Sequence, residues 1–429
     1  MILDIGNNIY ALIEELYPIC RSITGNGVRK SLQIIRNIID LEIHEVPSGT
    51  RVFDWTIPKE WNIASASLKT SSGKTIVDFN DLNLHVVNYS IPVKKTVSLN
   101  ELKNHIHTIP EQPDLVPYIT SYYKENWGFC MSHNQFLTLK DDVYEINIDS
   151  ELKEGSLTYG EYFIQGKTND EILISTYICH PSLCNDNLSG VALATFLAKN
   201  MQHNNKYSLR FLFVPETIGA ISWLALNNNK LSNIKHGLVC TCVGDKGIFH
   251  YKKSRNGNAE IDEVSSYILQ KYNGNILDFY PFGSDERQFC SPGINLPVGS
   301  IMKTPYHKFS EYHTSADNLD FIDSKSLEES YRVYEEVINT IQNNKKYINL
   351  KPNCEPHLSK YDLYRQSGIR RIDSKLEKND LDEIALFWVL NFSDGSNTLL
   401  DISKKSKIDF DILVKAALKL ESNNLIKEI

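Results

Sequence analysis

Five positions in this chain of 429 residues pair imidazole with carboxylate chemistry: His180, Asp186, Glu216, Asp245 and His313. His180 and Asp186 lie in YICHPSLCNDNLSG, Glu216 in FLFVPETIG, and His313 in Glu311-Tyr312-His313-Thr314. Imidazole and carboxylate are the ligand set of catalytic zinc, which keeps one coordination position for water. Zinc can lower the pKa of that water to about 7, and a neighbouring carboxylate then serves as base. Asp186 directly precedes a helical pattern, whose positive end favours an ionised carboxylate. Each residue also has a plainer role. His180 before Pro181 can simply end a strand, Asp186 can be an N-cap, Glu216 a charge at a helix start, and His313 a surface residue. Convergence of the loops decides between the two readings.

The elements that would bring these residues together are legible. Ile172–Cys179 is an apolar run ended by His180-Pro181, since proline removes a donor and turns its predecessor away from helical angles. Leu188–Met201 has a helical stripe, with Gly190, Ala192 and Ala194 small enough for close packing on a sheet. Buried strands are predicted at Ser208–Val214, His236–Val243 and Leu296–Met302, and Tyr159–Gln165 is read as forming a hairpin with Ile172–Cys179. The helix Ser324–Asn343 starts at a cap, Asp323 or Ser324. Alternating strands and helices give an α/β sheet, and open α/β sheets bind ligands beyond the carboxyl ends of their strands. Two N-terminal helical patterns lie within residues 6–40. The expected division is an α/β domain from residues 1–60 and 152–345, a β-rich insert at 61–151, a linker at 346–370 and a tail at 371–429. The tail's helical patterns, Leu381–Leu390, Thr398–Ser406 and Asp409–Ser422, resemble a winged helix.

Composition narrows the function. A net charge of −8 argues against a general nucleic-acid or anionic-membrane binder. The candidate recognition helix opens Asp409-Phe410-Asp411, which repels phosphate, so the tail is expected to pack or bind a partner rather than DNA. No apolar run approaches membrane-spanning length, and MILDIGNNIYALIEEL reads as an amphipathic helix rather than a signal peptide. Eight scattered cysteines without zinc-ribbon spacing read as reduced thiols in the cytoplasm.

Asn185-Asp186-Asn187-Leu188-Ser189-Gly190 resembles the N-D-N-x-S-G motif of zinc-dependent aminopeptidases of the bacterial leucyl-aminopeptidase type. FLFVPETIG is similar to their F-x-F-x-x-E-E-x-G segment, Ser284-Asp285-Glu286 to their Ser-Asp-His, and Tyr312-His313-Thr314 with Asp317 to their last histidine motif. The whole chain looks like a group of aminopeptidase-like proteins with a nested β-rich insert and a C-terminal winged helix, often found with polysaccharide biosynthesis. Leu16–Ser22, Asp54–Trp61 and Cys179-His180-Pro181 carry that likeness.

The resemblance implies a zinc-exopeptidase-like mixed central sheet flanked by helices. It also implies His180, Asp186 and His313 as metal ligands, Glu216 as general base, and a cis peptide after Asp186. The departures are Thr217 for a ligand glutamate, Thr241 for a ligand aspartate and Ser182 for an aspartate that orients the first histidine. Asp245, just past the strand, is a candidate replacement. Three ligands and an open position imply one zinc, as in glutaminyl cyclases of the same fold.

The first functional expectation is a metallohydrolase cleaving a small peptide or other amide, with Asp285, Arg287 and Tyr312 as candidate substrate contacts. Tyr312 or Arg287 would stabilise an oxyanion or bind a substrate carboxylate. The second is a zinc amidohydrolase or acyltransferase acting on an amino-sugar or cell-surface precursor. The third is a non-catalytic metal-binding scaffold that recruits a partner through the winged helix. The insert is read as either a cap on the pocket or a dimerisation surface, which leaves a homo-oligomer open.

Overall fold

The structure, a computed structural model, describes residues 4–140, 142–201, 205–363 and 378–429. By contact density the chain divides into two units, Met1–Glu336 and Val337–Ile429.

In the first unit an eight-stranded mixed sheet runs in the order Glu42–Pro47, Ser156–Ile164, Ser208–Val214, Glu171–Tyr177, Ile234–Cys240, Val298–Met302, His250–Lys252 and Asn275–Leu277. The strands Ser208–Val214, Glu171–Tyr177, Ile234–Cys240 and Val298–Met302 are mutually parallel. Every residue of Glu171–Tyr177 and Ser208–Val214 is buried, because helices cover both faces and leave no alternating polar side. The chain steps from Glu171–Tyr177 to one neighbour, then crosses back to Ile234–Cys240 on its other side. Loops diverge at such a reversal and leave a crevice at the carboxyl ends.

The sheet corrects one expectation. Ser156–Ile164 does not form a hairpin with Glu171–Tyr177; Ser208–Val214 lies between them, antiparallel to the first and parallel to the second. Arg210 shows why that placement is favoured: its guanidinium donates to Glu171 and pairs with Glu161, bridging both neighbouring strands.

The helix Ser189–Asn200 packs on the sheet through buried Gly190, Ala192, Ala194 and Ala198. A Cβ on Gly190 would lie 2.3 Å from the Cys240 carbonyl oxygen, so glycine is required by close approach. The first helix, Ile5–Leu16, is capped by Asp4 and buries Ile9, Leu12, Ile13 and Leu16. Asp323 caps Ser324–Asn343 by accepting from the Ser326 N–H, and the Tyr334 hydroxyl donates to the Val239 and Ile301 carbonyls.

Residues 61–151, expected as a β-rich insert, hold a four-stranded antiparallel sheet in the order Thr75–Asp78, Glu60–Thr70, Val143–Lys153, Val93–Ser98. It has its own core, including Leu68, Val97, Trp127, Phe129 and Ile146. Its first and last strands pair end to end, Glu60 opposite Lys153.

In the second unit, helices Lys378–Phe392, Leu399–Ser406 and Phe410–Ser422 accompany a three-stranded sheet ordered Asp394–Thr398, Lys346–Asn349, Ile426–Glu428. Lys346–Asn349 falls in the expected linker but is the central strand of this sheet. Its four residues are too short for the alternation that reveals a strand in sequence. The junction of the expected linker with the tail, residues 364–377, lies outside the described residues.

Candidate metal centre

The site follows the strand ends. Glu171–Tyr177 leads to His180 and then to the turn holding Asp186; Ser208–Val214 leads to Glu216; the loop after Val298–Met302 brings in His313. One ligand atom from each of His180, Asp186 and His313 lies within 4.8 Å of the others. The Asp186–Asn187 peptide is cis.

Asp186 is 1% exposed and held from two directions. Its backbone N–H donates to Asp317 Oδ2 at 2.9 Å, beside the Asn185 N–H to Oδ1 at 2.6 Å. Its Oδ1 accepts from the Tyr177 hydroxyl. The remaining oxygen, Oδ2, lies 3.0 Å from His313 Nε2, yet both atoms are buried without a hydrogen bond. Unsatisfied buried polar atoms are costly and call for an explanation. Lone pairs aimed at a shared cation supply one, and this donor set suits zinc. Burial works to raise the Asp186 pKa, but the His180 and His313 imidazoles outweigh it and hold the carboxyl at about 2. Burial lowers His180 to about 4, leaving a neutral imidazole of the kind that ligates metal.

Arg21 steadies this arrangement from below. It is fully buried and donates from Nε to the His180 carbonyl at 3.0 Å and from Nη1 to the Leu16 carbonyl at 2.6 Å. Tyr118, from the insert, stacks edge-on against both His180 and His313, with ring centroids 5.2 Å away in each case. Its N–H donates to the His313 carbonyl, and its hydroxyl lies 3.0 Å from that of Tyr122.

Glu216 reaches into the same space, its Oε2 3.8 Å from His180 Nε2. Burial, then Asp285 and Asp186, raise its pKa well above the usual carboxylate range, while burial raises Asp285 to about 7. Carboxyls tuned upward in a cleft are what proton transfer near neutral pH requires. The adjoining cavity, about 340 Å³, is lined by His180, His313, Glu216 and Arg287, by apolar Ile23 and Ile218, and by Trp55, Tyr118, Tyr122 and Tyr123.

The other candidates separate. Arg287 lines the cavity, and Asp285 binds the Thr217 N–H at its edge. Tyr312 stacks on His313 at 4.0 Å. Asp245 does not join the cluster: its carboxylate accepts from Asn185 Nδ2, the N–H groups of Gly247 and Thr304, and Thr304 Oγ1. With both oxygens committed it ties loops together. Thr241, where the resemblance places a ligand aspartate, lies 2.7 Å from the Tyr177 hydroxyl, and Ser182 binds Tyr17 and Asn83 instead of orienting His180. Tyr177, Arg21 and Tyr118 were not singled out from sequence. Tyr177 left a signal there, as a phenol at the end of an apolar strand whose hydroxyl must find a partner, and Arg21 lies in the Leu16–Ser22 stretch that carries the family likeness.

The first unit has the fold of zinc aminopeptidases. A zinc aminopeptidase from Bacillus subtilis superposes with a TM-score of 0.59 at 12% identity, covering 78% of this chain and 94% of that one. Residues 10–344 match the model of a domain of unknown function, DUF4910, and residues 345–428 match a winged helix-turn-helix. This chain belongs to the DUF4910 family. It is 57% identical over 427 residues to a Clostridium acetobutylicum protein provisionally named for polysaccharide biosynthesis, with an aminopeptidase-like domain; the match covers 99% of this chain and 97% of that protein. A crystal structure from C. acetobutylicum, provisionally named a peptidase, superposes with a TM-score of 0.92 at 56% identity over 99% of this chain and 96% of that one. Among the described residues no helix is long and apolar enough to cross a membrane.

Proposed function

We propose that this protein is a single-zinc hydrolase of the aminopeptidase type that cleaves a small amide-containing substrate. One observation carries the reading: the buried, unbonded pair Asp186 Oδ2 and His313 Nε2 lies beside neutral His180, with Glu216 3.8 Å from that imidazole. His180, Asp186 and His313 would hold the ion. The chemistry zinc supplies in such a donor set is Lewis acidity toward a carbonyl and a lowered pKa for water. Glu216 accepts the proton of the attacking water and returns it to the departing amine. Tyr118 and Tyr122 exclude solvent from one side, and Asp317 fixes the turn that presents Asp186. With Thr217 and Thr241 in place of carboxylates and Asp245 committed elsewhere, the donors suffice for one ion.

Elemental analysis of the purified protein tests this. We expect about one zinc per chain, lost in His180→Ala and in His313→Ala. Glu216→Gln should keep the zinc and lose roughly 10²–10⁴-fold in turnover of aminoacyl amides. A folded protein that takes up no zinc, or a Glu216→Gln variant with undiminished turnover, overturns the reading.

A further inference from the structure

We propose that Arg287 is a carboxylate-recognition residue, so that the substrates are small amides that also carry a free carboxylate. This rests on the hydrolase reading for the amide, but the anion site stands on its own geometry. Arginine has five N–H donors in a planar fork suited to carboxylates. Among the described residues the Arg287 side chain spends one of them, from Nη2 to Thr217 Oγ1 at 3.2 Å. Its Nε is buried without a partner, and none of the ion pairs among the described residues includes it. The nearby Asp285 accepts the Thr217 N–H on Oδ1 at 2.7 Å and leaves Oδ2 without a hydrogen bond. Burial raises the pKa of Asp285 and of Glu216 and the guanidinium charge works to lower it, yet the guanidinium forms an ion pair with neither.

Thr217 is held for this purpose. Its φ of 62° lies in the left-handed region, where a β-branched residue is strained, and the Asp285 bond fixes it there. Asp285, Thr217 and Arg287 thus form a clamp that sets a guanidinium in the cavity wall with one donor spent on Thr217 and its Nε unpartnered. His180, His313 and Glu216 line the same cavity of about 340 Å³, so the anion and the scissile amide belong to one small molecule. Trp55, Tyr118 and Tyr122 give its body an aromatic surface. Tyr312, the other candidate for this task, instead stacks on His313.

Calorimetric titration of the full chain with 3-phenylpropanoate and with 3-phenylpropanamide tests the proposal. Chelator-treated protein is used first, so that no metal can bind the carboxylate. The acid should bind about ten- to a hundredfold more tightly than the amide, the range for hydrogen bonds to a charged group. Arg287→Gln should abolish that preference with an unchanged melting temperature. Arg287→Lys, which keeps the charge without the fork, should retain part of it. Equal binding of acid and amide by the unaltered protein, or a preference that survives Arg287→Gln, overturns the proposal. If the preference holds while zinc-loaded protein turns over neither alanylglycine nor alanylglycinamide, the hydrolase reading fails and the anion site remains.

Discussion

Tyr177→Phe removes a single oxygen from the centre of the site. That hydroxyl donates to Asp186 Oδ1 and lies 2.7 Å from Thr241 Oγ1, and Asp186 is 1% exposed, so water has no route to replace it. A hydrogen bond to a charged group contributes about 1.5–3 kcal/mol. In the one-zinc reading the same bond orients the ligand carboxylate, and losing such a partner typically weakens metal affinity by roughly 10–100-fold. That factor corresponds to about 1.4–2.8 kcal/mol, so two independent routes give one magnitude. Competition against a chromophoric chelator near neutral pH measures it. We expect a dissociation constant for zinc raised by that factor with saturation stoichiometry unchanged, because His180, Asp186 and His313 all remain. Unchanged affinity would refute the claim that the phenol positions Asp186. Complete loss of binding, equal to that in His313→Ala, would show that Tyr177 holds the whole turn.

Two further predictions concern the scaffold. Burial lowers His236 to about 4, so it is neutral in the fold and both its ring nitrogens lack hydrogen bonds. The unfolded chain takes up this proton near pH 6.5, so the associated stability is complete above that pH and is lost as pH falls toward 4. The full effect is about 3 kcal/mol, roughly 2 of it between pH 7 and 5, and His236→Gln should flatten that part of a urea-midpoint profile. Parallel profiles for the two proteins would contradict it. Gly190→Ala would place a Cβ 2.3 Å from the Cys240 carbonyl and 2.5 Å from Asn187 Oδ1. A destabilisation of about 1–3 kcal/mol or more, read by denaturant unfolding, is expected, and a neutral result would mean the helix can lift off the sheet.

What the sequence reveals of this molecule depends on how local the determining signal is. His180 and Asp186 share one strand-to-helix turn, so the sequence alone places an imidazole and a carboxylate at one strand end. Glu216 follows the end of a second parallel strand and His313 lies on the long loop after a third, and parallel strands deliver their loops to one edge. The hairpin expectation failed because adjacency in sequence favours pairing, whereas Arg210, joining Glu161 and Glu171 from the strand between them, acts only in three dimensions. Asp245 looked like a replacement ligand because its type and strand end are right. Nothing along the chain shows that Thr304 and Asn185 claim its oxygens. Tyr118 was unreadable for a related reason: it comes from the insert, far along the chain from the histidines it touches.

That insert interrupts two strands that are neighbours in the sheet, Glu42–Pro47 and Ser156–Ile164, with about a hundred residues between them. Lengthening a flexible connection from about ten to about a hundred residues costs only ~2 kcal/mol in closure entropy. Here the excursion closes on itself, since Glu60 pairs with Lys153 where it departs and returns. The sheet therefore treats the insert as a short loop, while the cavity treats it as a wall. In evolutionary terms the two are decoupled. Variation at Tyr122 and Tyr123, whose rings pack on Tyr89 and Trp55, can reshape the cavity wall while Tyr118 stays against the two histidines, so this part of the wall can change separately from the strand ends.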